Sequence, residues 1–158
     1  MSQEIERKFL VTDNSYRDMA YHCNKMVQGY LCRENGNSVR IRISDDKAYL
    51  TVKGPSHDGG ISRYEWEKEI DVHDAEELMK LCQGTIIDKT RWIVPAETVD
   101  NLQLIWEVDE FHGEQEGLVV AEIELTYEEQ EFEKPDFIGK EVTDDPRYYN
   151  ANMGRPMG

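Results

Sequence analysis

Along most of its length this chain alternates ionic and apolar residues one by one, and that period of two commits it to strands. Successive side chains on a strand point to opposite faces. Glu4, Glu6 and Lys8 therefore share one face while Ile5 and Phe9 share the other, and Arg40 and Arg42 alternate with Val39, Ile41 and Ile43. Tyr49, Thr51 and Lys53 oppose Ala48, Leu50 and Val52; Arg63, Glu65 and Glu67 oppose Tyr64 and Trp66. Lys89 and Arg91 oppose Thr90 and Trp92, Glu107 and Asp109 oppose Trp106 and Val108, and Glu122 and Glu124 oppose Ala121, Ile123 and Leu125. Strands are expected over Glu4–Val11, Met26–Arg33, Ser38–Ser44, Lys47–Gly54, Ser62–Ile70, Ile86–Pro95, Leu102–Phe111 and Leu118–Thr126. Their mostly consecutive antiparallel order predicts a mainly β (α+β) fold: an eight-stranded antiparallel closed β-barrel with a few short helices packed outside.

The connections agree with this reading. Asn35-Gly36-Asn37 is a hairpin turn, and Ser44-Asp45-Asp46 serves the next junction. Gly54–Gly60 reads as a flexible rim loop, without the GK[ST] and helix of a P-loop; His112–Gly117 is another loop. Helices are expected within Ser15–Cys23, over about Asp74–Cys82, and over Pro146–Met153 with Asp145 as N-cap. No repeat or linker divides the 158 residues, which predicts a single domain over residues 1–158. No apolar run approaches the roughly 18 residues of a membrane span, and the N-terminus lacks a signal peptide's basic and apolar regions. Cys23, Cys32 and Cys82 form no CxxC pair. Free thiols without a leader predict a cytoplasmic protein.

An antiparallel sheet with one face in water gives the same alternation. Two features point elsewhere. A solvated face mixes Thr, Ser, Gln and Lys, whereas these positions are nearly all ionic. The signs also segregate: acids on the strands beginning at Glu4, Ser62, Leu102 and Leu118, bases on those beginning at Ser38, Lys47 and Ile86. If the sheet closes, its lumen has an acidic wall and a basic wall. Guanidinium forks and ammonium groups grip phosphate oxygens, and carboxylates offer magnesium or manganese their oxygen ligands. Glu4-x-Glu6 and Glu122-x-Glu124 each set two carboxylates about 7 Å apart on one face, which together suit one or two metals. A formal net charge of −15, from 33 acids and 18 bases, excludes a general nucleic-acid or anionic-membrane binder. It leaves a polyanionic substrate open, because eight acids and seven bases face the expected lumen and most of the excess lies outside.

Taken in order, Glu4-Ile5-Glu6-Arg7-Lys8, Gln28-Gly29-Tyr30-Leu31, Val39-Arg40-Ile41-Arg42 and Leu50-Thr51-Val52-Lys53-Gly54 form a recognisable series. Arg63-Tyr64-Glu65-Trp66-Glu67, Lys89-Thr90-Arg91, Trp106-Glu107-Val108-Asp109, Ala121-Glu122-Ile123-Glu124 and Gly139-Lys140-Glu141-Val142-Thr143 continue it. The series resembles the CYTH superfamily, the triphosphate tunnel metalloenzymes, and most of all its small single-domain bacterial members. The resemblance implies Mg2+ or Mn2+ held by Glu4, Glu6 and Glu124, with Glu122 and Asp109 supporting. It implies Lys8, Arg40, Arg42, Lys53, Lys89 and Arg91 as phosphate ligands, with Arg63 on the same lumen face. Glu65, Glu67 and Glu107 would orient those bases or a second metal and its water. Tyr30 is either a proton acceptor or a packing residue.

Such a site predicts a divalent-metal-dependent triphosphatase that hydrolyses inorganic tripolyphosphate to pyrophosphate and phosphate. No covalent intermediate is expected, since no nucleophile–base arrangement is evident. The alternatives are a thiamine- or nucleoside-triphosphatase, a class IV-type adenylate cyclase, and a non-catalytic triphosphate sensor; the chain is expected as monomer or homodimer. His22, His57, His73 and His112 show no metal-ligand spacing. Trp66, Trp92 and Trp106 are expected to pack under helices, and the acidic run Glu128–Glu133 reads as a solvated turn.

Overall fold

The period-two alternation is realised strand by strand in the computed structural model, which describes residues 2–57, 62–99 and 101–148. The elements are β1 (Ser2–Val11), α1 (Tyr16–Met19), β2 (His22–Glu34), β3 (Asn37–Ser44), β4 (Lys47–His57), β5 (Ser62–Ile70) and α2 (Val72–Met79). They continue as β6 (Gln83–Val99), β7 (Leu102–Phe111), β8 (Val119–Glu124) and β9 (Ile138–Glu141), with 3-10 turns at Gly113–Gln115 and Pro146–Tyr148. Neighbouring strands run β5-β4-β3-β2-β6-β7-β8-β1, and Ser2–Ile5 of β1 return to β5, so eight antiparallel strands close a barrel. Past Ile5 the same edge of β1 is taken by β9, with Phe9 opposite Glu141. No expected strand corresponds to β9.

Local chemistry sets the element ends. Asn35 and Gly36 both have positive φ, 54° and 81°, the two-residue turn whose twist matches its flanking strands. The expected rim loop is half strand: β4 runs through Gly54 to His57, and a register shift between Lys53 and Ser56 admits Pro55. The rest of that loop, 58–60, lies outside the described residues. Helix α1 stops early because His22 and Cys23 pair with Ile93 and Trp92 of β6. Helix α2 starts early because the Asp71 carboxylate accepts from the backbone of His73 (2.8 Å) and Asp74 (3.4 Å). The expected helix at Pro146 is a 3-10 turn as far as Tyr148, and its remainder lies outside the described residues.

The apolar faces point outward and are covered in two pads. Helix α2 lays Ala75, Leu78 and Met79 over Ile41 and Ala48. The segment after it lies so close to β2 that a Cβ on Gly29 would stand 2.8 Å from Ile86 and 2.9 Å from Cys82. The second pad joins Phe9, Trp106, Val108, Ala121 and Ile123 to Tyr16 of α1 and Phe137. Trp106 is covered by the 126–137 connection, with Phe132 at 5.7 Å, rather than by a helix. Trp92 meets Tyr16 at 6.3 Å, but Trp66 stays 41% exposed, against expectation. The acidic run is anchored at two points: Gln130 is buried and accepts from Thr126, and Phe132 packs on Trp106. Among the described residues no helix is long and apolar enough to cross a membrane, and Cys23, Cys32 and Cys82 are free.

Two forked ion pairs pin the periphery. Arg17 grips Glu110 through Nε (2.8 Å) and Nη2 (2.7 Å), while the Tyr16 hydroxyl donates to the same carboxylate at 2.8 Å, fixing α1 on β7. Arg7 holds Glu141 of β9 in the same way. Burial would raise the Glu110 pKa, but hydrogen bonds from Arg17 and Tyr16 hold it below the usual range; the Arg7 hydrogen bond does the same for Glu141. Their stabilisation is therefore complete above the unfolded value near 4.3 and lost as pH falls through the lower folded one. Thermal melts are expected to show Glu110→Gln less stable than wild type at pH 7, with the gap narrowing below about pH 4.5. A gap that stays constant down to acid pH would contradict this.

Candidate active site

The ionic faces turn into the bore, and strand order sorts them. The bases ride mainly on the contiguous arc β4-β3-β2-β6, the acids on β7-β8-β1-β5. Lys8 and Arg63 are the exceptions, carried on acidic strands. A cavity of about 220 Å³ occupies the bore. Glu4, Glu6 and Lys8 of β1, Arg40 and Arg42 of β3, Lys53 of β4, and Arg63, Glu65 and Glu67 of β5 line it. Tyr30 of β2, Arg91 of β6, Glu107 of β7, and Glu122 and Glu124 of β8 complete the expected set on its wall.

Lys89 and Asp109 are not on that wall: both are buried, and Lys89 Nζ lies 5.5 Å from the centre of the Phe111 ring. Lys89 Nζ donates to Asp109 Oδ2 (2.7 Å), and Arg91 grips the same carboxylate through Nε (2.8 Å) and Nη2 (3.0 Å). Burial alone would raise the Asp109 pKa, but Arg91 and Lys89 hold it down to about 2. Burial pushes Lys89 well below the usual lysine range, against the pull of Asp109. Both Asp109 oxygens are thus taken by bases.

Uncharged Ser38, Thr51 and Thr143, none of them among the expected site residues, also share the wall, and Gln28 is buried next to Arg42. Thr51 accepts from Arg40 (3.2 Å) and donates to Glu67 (2.8 Å). Thr143 accepts from the Lys8 backbone N–H (3.0 Å) and donates to Glu141 (2.6 Å). Gln28 Oε1 accepts from Arg42 Nε at 2.9 Å. Strand parity already places Gln28 and Thr51 inward, whereas Thr143 follows the short β9 and carries no periodic signal.

The charges are interlocked. Lys53 reaches Glu4 (2.8 Å) and Glu65 (3.7 Å), Lys8 reaches Glu122 (3.2 Å) and the Tyr148 carbonyl (2.8 Å), and Arg91 reaches Glu107 (3.1 Å). Arg42 is crowded instead: burial first, then Arg40 and Arg91, bring its guanidinium down to about 9. Among the described residues no three His, Cys, Asp or Glu side chains converge as a metal cluster. The donor set nevertheless fits a hard divalent cation. Glu6 lies opposite Glu124 on the β1–β8 ladder. Burial, then the Glu122 charge, raises the Glu6 carboxyl well above the usual range, and burial raises Glu4 and Glu124 as well. Clustered carboxylates whose charged forms are disfavoured in this way are ones a divalent cation relieves.

One end of the bore is filled. Tyr30, Ile87, Phe111 and Val120 pack together there, with Leu10, Leu118 and Tyr148 against them. The lumen face that reads Glu4, Glu6, Lys8 on β1 thus ends in Leu10, and a floor closes the cavity.

Residues 2–149 match the CYTH domain. A protein of Acetivibrio thermocellus named inorganic triphosphatase is 49% identical over 157 residues, 97% of this chain and 94% of its own length. Another so named, from Nitrosomonas europaea, is 36% identical over 153 residues, 95% of each. Among solved structures, a crystal structure of an inorganic triphosphatase superposes with a TM-score of 0.67 at 31% identity, covering 99% of this chain and 97% of that one. A hypothetical protein from Pyrococcus furiosus shares the fold, with a TM-score of 0.62 at 23% identity over 80% of each chain.

Proposed function

The chain belongs to the CYTH family, and on that footing we propose that it is a divalent-metal-dependent inorganic triphosphatase, cutting tripolyphosphate to pyrophosphate and phosphate. One observation carries the choice of an inorganic substrate: every described residue on the cavity wall bears a charge or a hydroxyl. Among the described residues no aliphatic shelf waits for a nucleobase or a thiamine ring, and the cavity's 220 Å³ is below the roughly 300–1,000 Å³ of sites for drug-sized organic ligands.

Magnesium or manganese, when bound by Glu4, Glu6 and Glu124 with Glu122 beside them, supplies Lewis-acid polarisation of phosphate oxygens. Lys8, Arg40, Arg42, Lys53, Arg63 and Arg91 bind the remaining oxygens. Their fixed charge offsets what builds up on the transferring phosphoryl and the pyrophosphate leaving group. A water oxygen bonds to the terminal phosphorus as the bridging P–O bond breaks. Its proton passes to Glu67 or Glu107, whose side chains are 39% and 35% exposed and so reach the solvent in the cavity. Glu65 holds Lys53, Tyr30 bounds the cavity at its floor, and Asp109, itself held by Lys89, braces Arg91. Three free cysteines suit a reducing, cytoplasm-type compartment.

The test is to follow phosphate, pyrophosphate and cyclic AMP from tripolyphosphate, ATP and thiamine triphosphate, with magnesium, manganese or EDTA. Phosphate and pyrophosphate from tripolyphosphate, abolished by EDTA, are expected. Cyclic AMP with pyrophosphate from ATP would overturn the reading, and binding without turnover would make the chain a sensor.

A further inference from the structure

We propose that Gln28 is a positioning residue of the phosphate site, holding Arg42 with a neutral acceptor so that the arginine's charge stays available to substrate. This rests on the triphosphatase reading above. Most bases of the bore are already answered by a carboxylate: Lys53 by Glu4, Lys8 by Glu122, Arg40 by Glu67, Arg91 and Lys89 by Asp109. Among the described residues, Arg42 and Arg63 alone line the cavity with no carboxylate at ion-pair distance, and of these two only Arg42 is buried. The sole hydrogen bond of its guanidinium within those residues runs from Nε to Gln28 Oε1 at 2.9 Å. Gln28 stands directly opposite Arg42 on the β2–β3 ladder and is fully buried.

A buried position facing a guanidinium is where a glutamate would normally close an ion pair. An amide of the same shape orients Nε equally well but brings no charge, so the terminal nitrogens, with Asp109 acting on them only from beyond ion-pair distance, keep positive charge for phosphate oxygens. The crowding of Arg42 by Arg40 and Arg91 has the same sense, because three convergent cations are stabilised when a polyanion enters. The spare Nε2 of Gln28, buried without an acceptor among the described residues, shows that the amide is not there to satisfy both of its own ends.

The experiment compares wild type, Gln28→Glu and Gln28→Met for kcat and KM on tripolyphosphate, Kd for tripolyphosphate by calorimetry, and Tm. Gln28→Glu keeps the shape and closes the ion pair, so KM and Kd are expected to rise about 10- to 100-fold, with kcat changed far less and Tm unchanged or higher. Gln28→Met keeps the volume and leaves Arg42 charged but unheld; a rise of a few fold at wild-type Tm is expected. An unchanged KM and Kd in Gln28→Glu overturns the inference. If that variant does not fold, an unchanged KM in Gln28→Met does so instead. Failure of the wild type to hydrolyse tripolyphosphate with any metal sinks the triphosphatase reading, and the Kd comparison still decides the role of Gln28.

Discussion

Glu6→Gln is expected to lower metal-dependent phosphate release by a factor of about 100 or more while leaving the barrel folded. The substitution keeps the shape and the hydrogen-bonding atoms of a side chain that burial and Glu122 already hold toward its neutral form. The folded protein without metal therefore loses little, and Tm without added metal should stay level or rise. What disappears is the negative charge that a divalent cation needs from the centre of the Glu4, Glu6, Glu122 and Glu124 group. Glu4→Gln should behave similarly, except that it also leaves Lys53 without its 2.8 Å partner. Phosphate release titrated against magnesium separates the two consequences, since a lost ligand shifts the metal requirement whereas misfolding lowers the plateau alone. Wild-type turnover in both variants would remove these residues from the metal site.

Asp109→Asn is expected to destabilise the fold by about 3–5 kcal/mol, the usual consequence of removing one partner from a buried ion pair. Two cations, Lys89 and Arg91, converge on this one carboxylate, and Lys89 has no exposure at all. Replacing the carboxylate by an amide leaves them to repel one another in a low-dielectric interior. Urea unfolding measures the loss, and the magnesium dependence of the remaining activity should match wild type. The opposite result, stability retained and the metal requirement shifted, would make Asp109 a supporting metal ligand, as the family resemblance implies.

Much of this site is legible in the sequence because strand parity is a strict rule. Once Glu4 and Arg40 are assigned inward, Glu6, Lys8 and Arg42 follow, and segregation of sign by strand anticipates the two opposed arcs. Depth is what parity cannot carry. Lys89 and Asp109 have the same inward phase as Arg91 and Glu107, yet Lys89 lies one step further along its strand, opposite Phe111 of the floor, and with Asp109 is buried off the cavity wall. Parity also misses where the charged face ends, since Leu10, Ile87, Phe111 and Val120 look like ordinary strand apolars until they meet across the bore. Thr143 reaches the wall from just beyond β9, whose four residues are too few to show a period. Trp66 shows the reverse failure: an outward aromatic promises a covering helix, but α2 packs over Ile41 and Ala48 and leaves it bare.

Among the described residues, the floor of packed side chains beneath Lys8 makes the bore a dead end with one doorway. Reactant, water and both products must share that opening, so traffic through it is one at a time and last in, first out. The fragment nearest the floor cannot depart until the one nearer the doorway has cleared. A barrel open at both ends would impose no such queue.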